Sequence, residues 1–303
     1  MKLASGLGGG LDIVNASLVY YALKNSGMQA RLGSSRPAPQ SVMENHFPFE
    51  DSGTLVHEFT RINYGRELSR YPEPRISGVL EEDVLFFSRK YENQTDVKRL
   101  KKAVEVAADK FDFTDMFFID GGGDSLILTL DDVAGTADNA ADPFAGGDSK
   151  VLEALAGINR VYLGVISVGL DVSASGFQKN IERLKQRNAY FGRVNLKTLE
   201  KQDYQLNHLL DFKQGFLEPY FKLAENILVL KEEDIDNPDK TQSHTAVVTY
   251  HALKGDYGMQ KTFVPWEPEV KGKKGVVVCP DHCWMYFFDA GKIHDLKVEL
   301  NKF

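Results

Sequence analysis

The sequence predicts an α/β protein whose mainly parallel sheet is flanked by helices. Three observations predict it. Short apolar runs of strand length alternate with stretches whose apolar residues recur at helical spacing. One run, Arg160 to Asp171, is almost continuously apolar, as a strand covered on both faces must be. Three separate runs end in the same chemistry: Gly8-Gly9-Gly10-Leu11-Asp12, Gly121-Gly122-Gly123-Asp124 and Gly169-Leu170-Asp171. A strand, a glycine loop and a helix form the grammar of the βαβ unit, whose loop lies at the carboxyl end of the strand. The expected architecture is a Rossmann-like core over residues 1–195. A helical and β-hairpin elaboration over 196–303 packs on it, within one domain or as a second.

In chain order, Met1 to Ser5 reads as a strand. The apolar positions Ile13, Leu18, Tyr21 and Ala22 predict the following helix, stopped at Asn25-Ser26-Gly27, and Met28 to Leu32 reads as the second strand. The segment from Gly33 to Pro74, rich in Ser, Pro, Asn and Gly, is expected to cover the site. A strand at Val84 to Ser88, a helix from Thr95 to Lys110 and a strand from Phe113 to Asp120 lead into the second glycine loop. A loop from Asp131 to Asp148, a helix from Lys150 to Ala156 and a basic amphipathic helix from Phe177 to Asn188 come next. Beyond it the pattern predicts helix over Leu196 to Lys231, a strand near Ala246 to Leu253, and a hairpin of Val276 to Cys279 with Trp284 to Asp289.

With 303 residues, 43% of them hydrophobic, the chain can bury a large core. A net charge of −7 with scattered Lys and Arg offers no basic face, which argues against a nucleic-acid partner. No apolar run approaches the roughly 20 residues of a membrane helix. The N-terminus lacks the basic and apolar regions of a secretory signal, and two cysteines, Cys279 and Cys283, are too few for a disulfide framework. The expected compartment is the cytoplasm. Oligomeric state is left open, a homo-oligomer included.

Glycine loops at strand ends let backbone N–H groups approach an anion, and a helix starting just afterwards adds its positive end. In a parallel sheet all three loops share one edge, so a shared site is expected there. The anion would be held by Gly8, Gly9, Gly10, Gly121, Gly122, Gly123, Gly169, Ser125 and Ser173, with Asn15 and Asp120 beside them. Asp12, Asp124 and Asp171 are the candidates for catalysis, one as general base, and for holding Mg²⁺ against a phosphorylated ligand or nucleotide. Each of these aspartates has a plainer reading as a helix cap. Arg183 and Arg187, one helical turn apart, would clamp a carboxylate or phosphate, although such a pair is more often a solvated face.

Known phosphate motifs fail. G-x-G-x-x-G started at Gly6 meets Leu11 where the third glycine belongs, and started at Gly8 meets Ile13. The second strand ends in Ser34-Ser35-Arg36 with no acid for a ribose, and neither a G-x-x-x-x-G-K-[ST] loop nor a G-x-S-x-G elbow is present. Cys279-Pro-Asp-His282-Cys283 has zinc-type ligands but no second cysteine pair to complete a tetrahedron.

Two resemblances follow from the glycine loops. Asp120-Gly-Gly-Gly-Asp124-Ser125 resembles the Ser-Gly-Gly-x-Asp-Ser loop of PP-loop ATP pyrophosphatases, with Asp120 in place of the first Ser and a mid-chain position instead of the family's first strand. Across most of the chain the sequence resembles the prokaryotic family Domain of Unknown Function 1152. That likeness rests on Gly-Leu-Gly-Gly-Gly-x-Asp-Ile-Val-x-Ala, the strand ending Ile119 to Ser125, the Asp142-Pro143-Phe144 loop and the strand Gly164 to Asp171. It departs at Val172, where that family has Gly, and at Ser35-Arg36-Pro37, where it has Trp-Glu-Arg. This resemblance implies the α/β fold and the three-loop site but no reaction; the first implies ATP-dependent adenylylation. The residues themselves favour an enzyme, a transferase or hydrolase acting on a nucleotide or on a phosphorylated or acidic metabolite. Four converging carboxylates would repel a simple anion unless a metal or proton were present. A non-catalytic binding or sensor protein is the alternative.

Overall fold

A computed structural model of the chain describes residues 1–8, 11–36, 56–59, 72–88, 90–91, 94–95, 97–132, 147–170, 172–228, 244–261 and 275–302. Nine strands form the main sheet. In chain order they are β1 (Lys2–Gly6), β2 (Ala30–Arg36), β3 (Val56–Phe59), β4 (Val84–Ser88), β7 (Asp115–Gly121), β8 (Val161–Ile166), β9 (Tyr190–Asn195), β10 (Lys201–Gln202) and β13 (Trp284–Asp289). Two small antiparallel pairs stand apart, β5 (Lys90–Tyr91) with β6 (Gln94–Thr95), and β11 (Gly258–Lys261) with β12 (Gly275–Val278). The described helices are α1 (Asp12–Asn25), α2 (Pro72–Leu80), α3 (Val97–Phe111), α4 (Gly147–Leu155), α5 (Ala174–Gln186), α6 (Leu217–Ile227), α7 (His244–Lys254) and α8 (Ala290–Leu300).

Strand order across the sheet is β10-β9-β13-β8-β7-β1-β2-β4-β3. The five central strands, β8, β7, β1, β2 and β4, run parallel, with Gly6 level with Ser34 on one side and Ile119 on the other. From β1 the chain winds outward through β2 and β4, then returns to lay β7 and β8 on the opposite side of β1. The winding therefore reverses between β1 and β7. A crevice outside the carboxyl ends of the strands opens at such a point, where loops leave for opposite faces.

The core has two halves, one on each face. Alternation sets them: Ala4, Leu32, Phe86, Phe117 and Ile119 face α1, α2, α6 and α7, whereas Leu3, Leu85, Phe87, Phe118 and Leu163 face α3, α4, α5 and α8. At the amino edge, buried Asp115 pairs with Lys2 and accepts two bonds from Arg160, at 2.8 and 2.6 Å, tying β1, β7 and the start of β8 together. Burial opposes the charge of Asp115, but these partners outweigh it and hold its carboxyl below the usual range.

Several expectations are corrected. Ala246 to Leu253 is helix, within α7, because nearly every side chain there is buried and the apolar run therefore shows neither periodicity. Among the described residues of Leu196 to Lys231, only α6 is α-helix; the part before it carries β10 and turns. The expected hairpin does not pair within itself. β12 pairs with β11, and β13 enters the main sheet between β8 and β9, antiparallel to both. Helix α4 begins at Gly147, three residues earlier than the pattern suggested.

One glycine fixes the path at the sheet's far side. Gly192 in β9 has φ +98, and a Cβ there would meet the Asp203 carbonyl oxygen and lie 2.5 Å from the Tyr204 nitrogen. Backbone cannot swing aside as a side chain can. Gly192→Ala is expected to cost about 3 kcal/mol or more, measured by denaturant unfolding. A loss below about 1 kcal/mol would show that β9 and the Asp203 turn separate freely.

Candidate functional site

Asp12 opens α1, and its carboxylate faces the reversal point. Its Oδ2 accepts from the Gly8 N–H at 3.0 Å and its Oδ1 from the Gly121 N–H at 3.1 Å, so one side chain ties the end of β1 to the end of β7. Asp120, the penultimate residue of β7, points to the opposite face. Its Oδ2 accepts from the Ser125 N–H at 3.2 Å and from the Ser125 hydroxyl. The third carboxylate was not foreseen. Asp148, in the first turn of α4, comes so close to Gly8 that a Cβ on Gly8 would lie 2.5 Å from its Oδ2 and 2.7 Å from Asp12 Oδ2.

Carboxylate oxygens of Asp12, Asp120 and Asp148 all lie within 4.8 Å of one another, and all three residues are buried. This is the one group of three or more His, Cys, Asp or Glu among the described residues arranged to hold a metal ion. Burial pushes the Asp12 carboxyl well above its usual range, and the charges of Asp148 and Asp120 push it further, against the two amide bonds that favour its charged form. In an octahedral Mg²⁺ shell with bonds of about 2.1 Å, neighbouring oxygens sit roughly 3 Å apart and opposite ones roughly 4 Å. A modest contraction brings the trio into that range, and an all-oxygen donor set suits Mg²⁺ or Mn²⁺.

A buried cation approaches the trio from α8. Lys297 is 1% exposed, and its Nζ donates to Ser149 Oγ at 2.9 Å. Burial lowers its pKa to about 8, although Asp124, Asp120 and Asp148 oppose that shift. Asp124 opens the short 3₁₀ turn after the second glycine loop and is the half-buried member of this neighbourhood. That loop is held firmly: Asn180 Nδ2 donates to the Leu126 carbonyl and to Asp132, Asn301 Nδ2 donates to the Leu128 carbonyl, and Asp132 accepts from the amides of Leu128 and Thr129.

The glycine amides do not have the partners expected of them. Gly8 and Gly121 donate to Asp12, Gly122 donates to the Ile166 carbonyl at 2.9 Å, and Ser125 donates to Asp120. Gly8, Gly121 and Ser125 thus use their N–H groups to position carboxylates, and Gly122 uses its own to tie the end of β7 to the end of β8. Gly123, at φ +101, packs under Val172 and Val168 from the third loop, and Gly169 lies exposed at the rim. Gly9, Gly10 and Asp171 lie outside the described residues, as do Asp142-Pro143-Phe144 and most of the segment expected to cover the site.

Ser173 caps α5, accepting from the Gly176 N–H at 3.1 Å. Arg183 and Arg187 sit at the far end of that helix. Nine residues from its start is about 13 Å at 1.5 Å per residue, toward the amino ends of the strands. There Arg183 donates to Asn180 Oδ1 and exposed Arg187 pairs with Glu299, so the structure does not bring these two to the trio. In the cysteine motif, His282 Nδ1 accepts from the Cys279 N–H and Cys283 Sγ donates to the Ala252 carbonyl, a local capping arrangement.

Asn15, one turn along α1 from Asp12, is wholly buried, and neither Oδ1 nor Nδ2 has a hydrogen-bond partner among the described residues. It lies over Gly121, where Thr245 from α7 also arrives. No helix among the described residues is long and apolar enough to cross a membrane. No family model, curated protein or solved structure matches the chain.

Proposed function

We propose that the chain is a divalent-cation-dependent enzyme acting on a nucleotide or another phosphorylated small metabolite at the reversal point of its sheet. The observation that carries this reading is the buried trio of Asp12, Asp120 and Asp148, with oxygens within 4.8 Å. Three buried carboxylates this close repel one another, and a dedicated hard cation is the partner that offsets both that repulsion and their desolvation. A bound Mg²⁺ would supply charge neutralisation and orientation to a phosphoryl group.

The chain's own residues divide the remaining tasks. The amides of Gly8 and Gly121 fix both oxygens of Asp12, so the trio is preorganised. Asp124, half-buried in the turn that follows Asp120 and in the field of Lys297, is the candidate general base. Lys297 adds a second positive charge from the α8 side, and its lowered pKa of about 8 is the kind of perturbation that gathers at reactive sites.

Titration of metal-free protein with Mn²⁺, followed by electron paramagnetic resonance, tests the reading directly. One tightly bound Mn²⁺ per chain is expected, displaced by excess Mg²⁺, with loss of most of the affinity in Asp120→Asn. Absence of any site tighter than about 1 mM would sink the proposal. Nucleotides and sugar phosphates are then screened by thermal shift with the cation present.

A further inference from the structure

Resting on that reading, we propose that Lys297 is a built-in counter-cation of the carboxylate trio and that Ser149 sets its distance, holding the ammonium out of contact so that the trio's oxygens stay open to a divalent ion. The pair thereby sets both the strength of binding and the charge of the ion accepted.

The first observation is a partner not taken. Lys297 is 1% exposed, and the charges of Asp124, Asp120 and Asp148 all favour its charged form. A buried ammonium gains most from a charge-assisted bond to a carboxylate, and the flexible stem of a lysine has the reach to find one. Yet no carboxylate among the described residues pairs with it. Its hydrogen bond goes to a neutral hydroxyl, Ser149 Oγ, at 2.9 Å, and the remaining N–H donors of the ammonium have no partner among the described residues. Unfilled donors on a buried charge are costly. A fold that accepts this cost keeps its carboxylates for another cation.

The second observation is that this standoff is fixed at both ends of the side chain. Ser149 follows Asp148 in the first turn of α4, so one turn gives a carboxylate to the trio and a hydroxyl to the ammonium. At the other end, Asn301 Nδ2 donates to the Lys297 carbonyl and to the Leu128 carbonyl, both at 2.8 Å, which ties the end of α8 to the segment after Asp124. Ile293 and Leu296 on α8 and Val151, Leu152 and Leu155 on α4 belong to one buried core, so the two helices keep their spacing. The ammonium is thus held at a set distance from the trio. There it balances part of the negative charge, and it repels an arriving cation in proportion to that cation's charge. A trivalent ion is therefore disfavoured more than a divalent one.

The test is titration of the full metal-free chain with Mn²⁺ and, separately, with Tb³⁺. Lys297→Met, which keeps an unbranched stem and removes the charge, is expected to tighten Mn²⁺ at least about 10-fold and Tb³⁺ by a larger factor. Ser149→Ala is expected to weaken Mn²⁺ at least about fivefold, because the released ammonium pairs with Asp148 or Asp120 and competes with the ion. That loss is expected to vanish in the Lys297→Met background, a dependence that a merely structural serine would not show. Lys297→Gln, which removes the charge and retains an N–H donor, gives the same reading where Lys297→Met fails to fold. Unchanged or weaker Mn²⁺ binding in the charge-removing variants would overturn the proposal. So would an unchanged affinity in Ser149→Ala, or an equal loss from it in both backgrounds. A wild type that binds no Mn²⁺ shows that the cation reading has failed, and this proposal with it; a wild type that binds Mn²⁺ beside unresponsive variants fails this proposal alone.

Discussion

Asp148→Asn is expected to weaken Mn²⁺ binding at least about 100-fold and, in the same protein, to raise the melting temperature of the ligand-free chain. Both effects have one cause. Asp148 is buried beside Gly8, its oxygens close to those of Asp12, and its charge is the largest contribution after burial to the raised Asp12 pKa. In the absence of a cation that proximity is repulsive, and an amide of the same shape relieves it by something on the order of 1 kcal/mol. In the presence of a cation the same proximity is the binding energy, and an amide oxygen replaces a full charge poorly. Ser149, the partner of Lys297, is untouched by the substitution, so the α8 side of the site keeps its hydrogen bond. Calorimetric melting in a chelator and Mn²⁺ titration of the same sample give the two readings. Unchanged Mn²⁺ affinity would remove Asp148 from the site; a ligand-free protein weakened by several kcal/mol would mean that its carboxylate holds the fold.

The fold was legible because its signals are local. Alternating strand-length and helix-period stretches, with glycine after the strands, specify βαβ units within windows of some thirty residues. Asp12 and Asp120 were legible for the same reason, since each lies at or just beyond a strand end that the pattern marks. Lys297 was not. On α8 it reads as one more surface lysine, and only the return of the C-terminal third to insert β13 beside β8 carries α8 to the reversal point. Thr245 was hidden by the misread strand over α7, whose all-round burial erased its period. Asp148 did leave a sign. Gly146-Gly147-Asp148-Ser149 repeats Gly122-Gly123-Asp124-Ser125, and the second copy was absorbed into a loop dense in Ala, Gly and Asp. Of the two copies, the second supplies a member of the trio and the Ser149 partner of Lys297, and the first a half-buried neighbour. The arginine pair misled because helical spacing says which residues share a face and nothing about which end of the sheet that face reaches.

The pH dependence of stability is expected to change sign when the cation is added. Burial, with Asp148 and Asp120 behind it, raises the Asp12 pKa in the folded chain well above the 3.8 of an unperturbed aspartate. Between those two values the folded chain keeps a proton that the unfolded chain has released. Stability then falls as pH rises, by up to about 1.4 kcal/mol per pH unit, from the ordinary aspartate range until Asp12 ionises in the fold. Asp115 does not confuse the measurement. Its folded pKa is lowered, so its contribution is fully present above the ordinary range and is lost only in more acid solution. With Mn²⁺ in excess the proton on Asp12 is replaced by the metal, binding tightens as protons become scarcer, and the stabilisation that binding adds grows with pH over the same interval. The burial of His282 and His294 lowers their folded pKa values and adds a rise in stability with pH that is common to both buffers; with that rise subtracted, melting temperatures taken from about pH 4.5 to about pH 7.5 should fall in chelator and rise in Mn²⁺. Asp12→Asn, which carries no titrating proton and retains only one of the two acceptors for Gly8 and Gly121, should flatten both curves. A falling curve in chelator that persists in Asp12→Asn would assign the proton to another group, and a Mn²⁺ curve that falls in parallel with the chelator curve would mean that the trio binds its proton and no metal.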